Sequence, residues 1–170
     1  MKEIVETLKK RISENKNSML VTVVAGRSSI PRKAGAYMVV GEDGRVTGTI
    51  GGGNLEYQAT LLGQKLLTEK KNYLHEYNLG QEKSAELGMA CGGNATVLFY
   101  FVDVREDAVW IRQMEEAEKK REAFWILMPL EEGKIKILPE FQTFAHQSVT
   151  ELDGARFYAE QFSYDGKVYI

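Results

Sequence analysis

The chain has 170 residues, of which 44% are hydrophobic and 27% are charged, with 22 basic and 24 acidic residues. This composition is typical of a globular protein, and a net charge of −2 gives no overall attraction to nucleic acid or to an anionic membrane. No apolar run approaches the roughly 20 residues that cross a bilayer. The single cysteine, Cys91, excludes an intrachain disulfide and a multi-cysteine zinc site, and it indicates a reducing, cytoplasmic location.

Hydrophobic periodicity predicts alternating helices and strands in the first part of the chain. The predicted elements are a helix over 2–14, strands over 19–25, 36–41 and 46–50, a helix over about 54–70, and strands over 72–78 and 95–104. The strand over 19–25 is nearly continuous in apolarity, which favours a central position in a sheet. An Asp-Gly turn joins the second and third strands. Asn54 is the predicted N-cap of the second helix.

The sequence becomes richer in charged residues after residue 104. A charge-rich helix is predicted over 106–122, and a strand over 124–130 is assigned to a sheet edge because Pro129 lies near its end. The remaining predicted strands are 134–138, 155–162 and 167–170, while 140–153 is ambiguous. Together the elements predict an α/β protein of the mixed α+β class, with a central mixed sheet flanked by helices.

Glycine is unevenly distributed along the chain. Thirteen of the 16 glycines fall between Gly26 and Gly93. Glycine is favoured where the backbone must turn sharply or approach a ligand closely. This stretch is therefore the predicted location of a functional site.

The first motif in the stretch is a basic loop over 26–35. It contains Ser29, Arg32 and Lys33, and no acidic residue occurs between Asn15 and Gly41. Guanidinium groups and backbone amides at the end of a strand are suited to an oxyanion such as phosphate. The alternative is a solvated loop with a few surface charges.

The second motif runs from a strand through Gly51, Gly52 and Gly53 into a helix that starts near Asn54. Such an arrangement directs backbone N–H groups and the positive end of the helix dipole towards one point, which indicates an anion or cofactor site. The alternative is a tight turn that requires positive φ angles, followed by an ordinary N-cap. Glu56 either binds a polar ligand group or interacts favourably with the helix dipole.

The third motif is Cys91 followed by Gly92 and Gly93, directly before a strand. Neighbouring amides lower the pKa of an accessible thiol. The alternative is a buried cysteine that acts as a small hydrophobic residue. The two histidines, His75 and His146, lie apart from other ligand-type residues and are interpreted as ordinary.

In order and spacing the three motifs resemble the N-terminal domain of the xanthine dehydrogenase accessory family of the XdhC/CoxI type. The resemblance covers about residues 15–104. The residues that carry it are Ser29-Ile30-Pro31-Arg32-Lys33-Ala34-Gly35-Ala36-Tyr37-Met38, Asp43-Gly44, Gly48-Thr49-Ile50-Gly51-Gly52-Gly53-Asn54-Leu55-Glu56 and Cys91-Gly92-Gly93.

The resemblance implies a molybdenum-cofactor chaperone, more an accessory protein than a turnover enzyme. Such a protein binds the phosphate-bearing pterin, with or without an attached nucleotide, and assists its sulfuration and its insertion into a molybdenum hydroxylase. The residues so implied are Ser29, Arg32, Lys33, Gly51, Gly52, Gly53, Asn54, Glu56, Gly92 and Gly93 for the cofactor, and Cys91 for the metal or the sulfur. The expected partners are a molybdenum hydroxylase, a cysteine desulfurase and a second copy of the chain.

The same resemblance predicts the domain organisation. Residues 1–104 would form the family domain, 105–165 a helix and hairpin extension that packs on it, and 166–170 the first strand of a Rossmann-like domain that is absent here. One departure from the family is Asn54, where many members have cysteine. Two other functions stay open: a phosphate-ligand or dinucleotide-dependent oxidoreductase that acts through the missing domain, and a structural or dimerisation domain.

Overall fold

The computed structural model describes residues 1–26, 35–78, 94–142 and 147–163. The elements in these ranges are α1 (Lys2–Ser13), β1 (Ser18–Gly26), β2 (Tyr37–Gly41), β3 (Gly44–Gly48), α2 (Gly53–Glu69), β4 (Tyr73–Asn78), β5 (Asn94–Val102), α3 (Ala108–Lys120), β6 (Phe124–Pro129), β7 (Lys136–Leu138), β8 (Gln147–Leu152) and β9 (Ala155–Phe162). None of the described helices is both long and apolar enough to cross a bilayer.

The described strands form two sheets. The first has the order β3-β2-β1-β5-β4 and the second has the order β7-β6-β9-β8. The α+β class with flanking helices is confirmed, but all described pairings are antiparallel, so the central sheet is antiparallel and not mixed. As expected, β1 lies at the centre of the first sheet.

Both faces of the first sheet are covered, which explains why β1 and β5 are apolar on both sides. One face packs against α2 through residues such as Val21 and Leu55. The opposite face packs against α1, α3 and the second sheet in a larger cluster that includes Leu20, Trp110 and Tyr158. The second sheet therefore shares a core with the first.

A buried carboxylate joins the start of α3 to the first sheet. Asp107 is fully buried and accepts hydrogen bonds from the Tyr100 hydroxyl at 2.6 Å and from the Trp110 indole N–H at 2.8 Å. Burial, followed by the bond to Asp107, raises the pKa of the Tyr100 hydroxyl. The chain after residue 104 is thus anchored to the first sheet by a satisfied polar cluster.

Several features of the strands differ from the sequence prediction. β6 is an inner strand, because it pairs with both β7 and β9, so its predicted edge position is wrong. Pro129 is tolerated because its missing N–H would point to the β7 side, and β7 pairs with β6 only as far as Leu127. The residue after the proline, Leu130, donates its N–H to Arg156 of β9. β3 ends at Gly48 and not at residue 50, since Gly48 has a φ of +74°. The ambiguous stretch 140–153 contains β8, while 167–170 lies outside the described residues.

Candidate functional site

The three glycine-rich segments all adjoin strands at one end of the first sheet. Gly26, the last residue of β1, lies beside the start of β5, and Asn78 at the end of β4 pairs with Asn94. Gly48 at the end of β3 pairs with Met38 near the start of β2. The described ends of all three segments therefore share this end of the sheet, which we call the glycine end.

The structure describes part of the predicted site. Gly51, Gly52, Gly53, Asn54 and Glu56 lie in the loop from β3 to α2 and in the first turn of α2. The other predicted site residues lie outside the described ranges: Ser29, Arg32, Lys33, Cys91, Gly92 and Gly93.

Each glycine of the triplet has a backbone conformation that side chains disfavour. The φ angles are +136° at Gly51, +79° at Gly52 and +62° at Gly53. The turn geometry alone thus accounts for three consecutive glycines. A Cβ built on Gly52 would meet nothing within 4 Å, so the outer side of the loop is open.

The carboxylate of Glu56 folds back into this loop. Its Oε2 accepts the Gly52 N–H at 3.0 Å and the Ile50 N–H at 3.2 Å, and it also accepts the Thr49 hydroxyl. The Gly51 N–H donates to Thr49 Oγ1 at 3.2 Å. The amides of Ile50, Gly51 and Gly52 are therefore satisfied within the loop by an internal anion and its hydroxyl neighbour.

Arg45 completes the cluster. Its Nε lies 3.4 Å from Glu56 Oε1, and its guanidinium donates to the Gly48 carbonyl at 2.8 Å. Burial raises the pKa of Glu56, but the bonds from Thr49 and the loop amides, with the charge of Arg45, outweigh burial, and the net pKa is lowered. Glu56 is accordingly held as a carboxylate.

Arg45 and Thr49 were absent from the predicted site. The register of β3 shifts between the pairs Val39–Thr47 and Val40–Arg45, so Thr47 reaches Glu3 of α1 whereas Arg45 reaches Glu56 of α2. Strict alternation along the strand would have placed Arg45 and Thr47 on one face, so the sequence pattern held no signal that directed Arg45 towards the start of α2.

The predicted N-cap at Asn54 is wrong. α2 begins at Gly53, its N-cap is Gly52, and Asn54 is the second helical residue. Glu56 reaches back to the Gly52 amide and takes the place of a capping side chain at that end. The amides of Gly53 and Asn54 belong to the first turn, where no intrahelical acceptor exists.

A buried hydrogen-bond cluster connects the glycine end to the second sheet. The Tyr37 carbonyl accepts the Thr49 N–H at 3.0 Å, and the Tyr37 hydroxyl donates to Glu160 Oε2 at 2.5 Å. Tyr158 donates to the same oxygen at 3.2 Å. Burial and then the negative charge of Glu160 raise the pKa of Tyr37. Sequence patterns contained no signal for this contact, because 123 residues separate its partners.

Within the described ranges, no group of three His, Cys, Asp or Glu side chains is arranged to hold a metal ion. Cys91, the predicted metal or sulfur contact, lies outside these ranges.

Parts of the chain are similar to known proteins. Residues 12–78 match the XdhC and CoxI family. A stretch of 92 residues is 32% identical to the uncharacterized protein YqeB of Escherichia coli (strain K12), and it covers 54% of this chain and 17% of that protein. The fold is similar to the crystal structure of a xanthine dehydrogenase from Bacillus halodurans, with a TM-score of 0.66, 19% identity, and coverage of 94% of this chain and 52% of that one. The chain thus spans a small part of the first protein and about half of the second.

Proposed function

We propose, on the premise that residues 12–78 are a segment of the XdhC and CoxI family, that this chain is an accessory protein of a molybdenum hydroxylase. It binds the molybdenum cofactor, assists its sulfuration and delivers it to a xanthine dehydrogenase-type client. A cysteine desulfurase supplies the sulfur. The chain acts as a cofactor carrier more than as a turnover enzyme. Residues 1–104 carry the site and 105–165 support it.

The observation that supports this proposal is the common position of the three segment ends. The basic segment, the glycine loop and the segment of Cys91 all leave the first sheet at the glycine end. A ligand with a phosphate group and a soft metal centre requires cationic, amide and thiolate groups in one place. The two segments outside the described ranges supply this chemistry through the proposed residues Arg32, Lys33 and Cys91, and they also contain Arg27 and Lys83.

The described residues fit a phosphate group at the start of α2. Glu56 already satisfies the amides of Ile50 and Gly52, so an anion is better accommodated by the amides of Gly53 and Asn54. The open space beside Gly52 admits a ligand to this position. Arg45 offsets the charge of Glu56, which reduces its repulsion of an anion.

When bound, the cofactor would supply the molybdenum and its exchangeable sulfur. Cys91 would offer a thiolate, a soft donor, towards that metal. Asn54 does not offer a second thiolate, so any sulfur handling by this chain relies on Cys91 alone.

The test is cofactor binding under anaerobic conditions. Released molybdenum cofactor is mixed with the chain, and the protein fraction is assayed for molybdenum and for the fluorescence of the oxidised pterin. We expect Arg32→Ala to weaken binding about tenfold, the effect of one charge-assisted contact. Arg112→Ala, which removes an exposed cation on α3, is the matched control and should bind like wild type.

A second pair of variants tests the start of α2. Asn54→Pro removes one backbone amide at a position in the first helical turn where proline is tolerated, whereas Asn54→Ala keeps it. Weaker binding by the proline variant alone supports the site. If wild type binds no cofactor, or if nicotinamide nucleotides stabilise the chain while the pterin does not, the proposal is wrong.

A further inference from the structure

The edge strand β4 differs from the opposite edge of the same sheet. β3 is interrupted by a register shift at its partner residues Val39 and Val40, and it packs against both α1 and α2. β4 pairs with β5 over six residues without a shift, and among the described elements only β5 packs against it extensively. Natural edge strands are usually shortened, bulged, charged or covered. Within the described residues, β3 has such protection and β4 lacks it.

The hydrogen-bonding groups on the outer side of β4 can be identified from the register. The N–H of Phe101 in β5 points to the β4 side, because it donates to Asn72 Oδ1 at 2.8 Å. Phe101 and the alternate residues of β5 therefore face β4, and Tyr73, His75 and Tyr77 face them in return. The N–H and C=O groups of Leu74 and Glu76 then point outwards.

The side chains along β4 form an aromatic row. The rings of Tyr73 and His75 are 5.8 Å apart, and those of His75 and Tyr77 are 4.4 Å apart. Tyr73 is 46% exposed. Glu76 is the only charged side chain of the strand, and its carboxylate accepts a hydrogen bond from Asn94 of the neighbouring strand β5 at 2.9 Å. The edge therefore combines outward amides with the exposed ring of Tyr73, while Tyr77 is half-buried and its hydroxyl has no hydrogen-bond partner among the described residues.

We infer that β4 is an interface to a second copy of this chain, paired antiparallel about a twofold axis at His75. The aromatic row reads the same in both directions, since Tyr73 and Tyr77 are equidistant from His75. In this register Tyr73 lies opposite Tyr77 of the partner subunit, and Leu74 and Glu76 exchange backbone hydrogen bonds across the axis. An unrelated strand would lack this self-complementarity, which favours a second copy over a foreign peptide.

Charge favours the register centred on His75, and the small buried area limits the strength of the dimer. Centring the axis one residue later would place two copies of Glu76 opposite each other, which is unfavourable. The pairing joins two five-stranded sheets into one, in the manner of β-strand addition. One pair of short strands buries less than the roughly 1,200 Å² of a standard interface, so the dimer is a reversible one.

The first test measures mass against concentration by sedimentation velocity. The wild-type chain of 19.2 kDa should pass from monomer to dimer as its concentration rises. Glu76→Pro removes the outward amide in both subunits and should raise the dimer Kd about tenfold or more. Glu76→Ala also loses the bond to Asn94 but keeps the amide, so it should dimerise like wild type.

Disulfide cross-linking tests the register independently of folding losses. In a Cys91→Ser background, His75→Cys places two thiols across the axis, where Cα atoms of a non-hydrogen-bonded pair lie about 4.5 Å apart, within disulfide range. The neighbouring variant Glu76→Cys should not cross-link to itself. The inference is overturned if the wild-type chain stays monomeric. It is also overturned if the dimer is unaffected by Glu76→Pro and if both cysteine variants cross-link equally.

Discussion

The carboxylate of Glu56 accepts the backbone N–H of Gly52 at 3.0 Å, one helical turn before it in the chain. Through this contact a carboxylate from the first turn of α2 occupies the position beside the glycine-loop amides where an external anion could bind. The loop that resembles a phosphate cradle in sequence is thus partly filled by its own side chain, and only the amides that follow it remain at the open start of the helix.

Replacing Glu56 should destabilise the protein in a pH-dependent way. The pKa of Glu56 is lowered from its usual value of 4.5, so its contribution is complete above that value and is lost as the pH falls through the folded-state pKa. Glu56→Gln should lower the free energy of unfolding by about 1–2 kcal/mol at pH 7. Urea unfolding at pH 7 and pH 3.5 should show this deficit shrinking in acid. Glu69→Gln, an exposed position in the last turn of α2, is the control.

Asn54→Ala should leave the stability nearly unchanged. A true N-cap asparagine contributes about 1 kcal/mol, but Asn54 lies inside α2 and Glu56 satisfies the Gly52 amide. We expect a change of less than about 0.5 kcal/mol in the free energy of unfolding. A loss near 1 kcal/mol in chemical denaturation would return Asn54 to a capping role.

Gly48→Ala should be much more harmful than Gly154→Ala. The two glycines have similar φ angles of +74° and +79°, so the backbone strain of an alanine is alike. A Cβ on Gly48 would lie 2.2 Å from the Tyr37 carbonyl oxygen, whereas one on Gly154 would meet nothing within 4 Å. We expect a loss of about 1 kcal/mol for Gly154→Ala and at least about 3 kcal/mol for Gly48→Ala. Equal melting temperatures for the two variants would contradict this steric explanation.

Tyr37→Phe and Tyr158→Phe should show coupled effects on stability. Both hydroxyls donate to the same oxygen of Glu160, which is buried between the sheets. Each single variant should lose about 1–2 kcal/mol of stability, and the double variant should lose more than the sum because the buried carboxylate then loses the two tyrosine donors together. A double-mutant cycle measured by urea unfolding checks this, and strict additivity would argue against a shared acceptor.

The local elements were predictable because they follow from short-range patterns. The helical spacing over 2–14 and the continuous apolar run over 19–25 correspond to α1 and β1, whose burial is set by their own residues. The edge position predicted from Pro129 was wrong because a proline removes the hydrogen-bond donor on one side of a strand only. The length of β7, which lies elsewhere in the chain, decided whether that side was paired.

The sequence by itself determined the helices, most strands, the α+β class and the three glycine-rich segments, since periodicity and glycine content are local properties. Only the tertiary structure decided that the strands form two antiparallel sheets, that Glu56 rather than Asn54 closes the start of α2, and that Tyr37 meets Glu160. These features depend on which distant groups share one buried space. Hydrogen-bond satisfaction among such groups is a property of the packed molecule and not of any short segment.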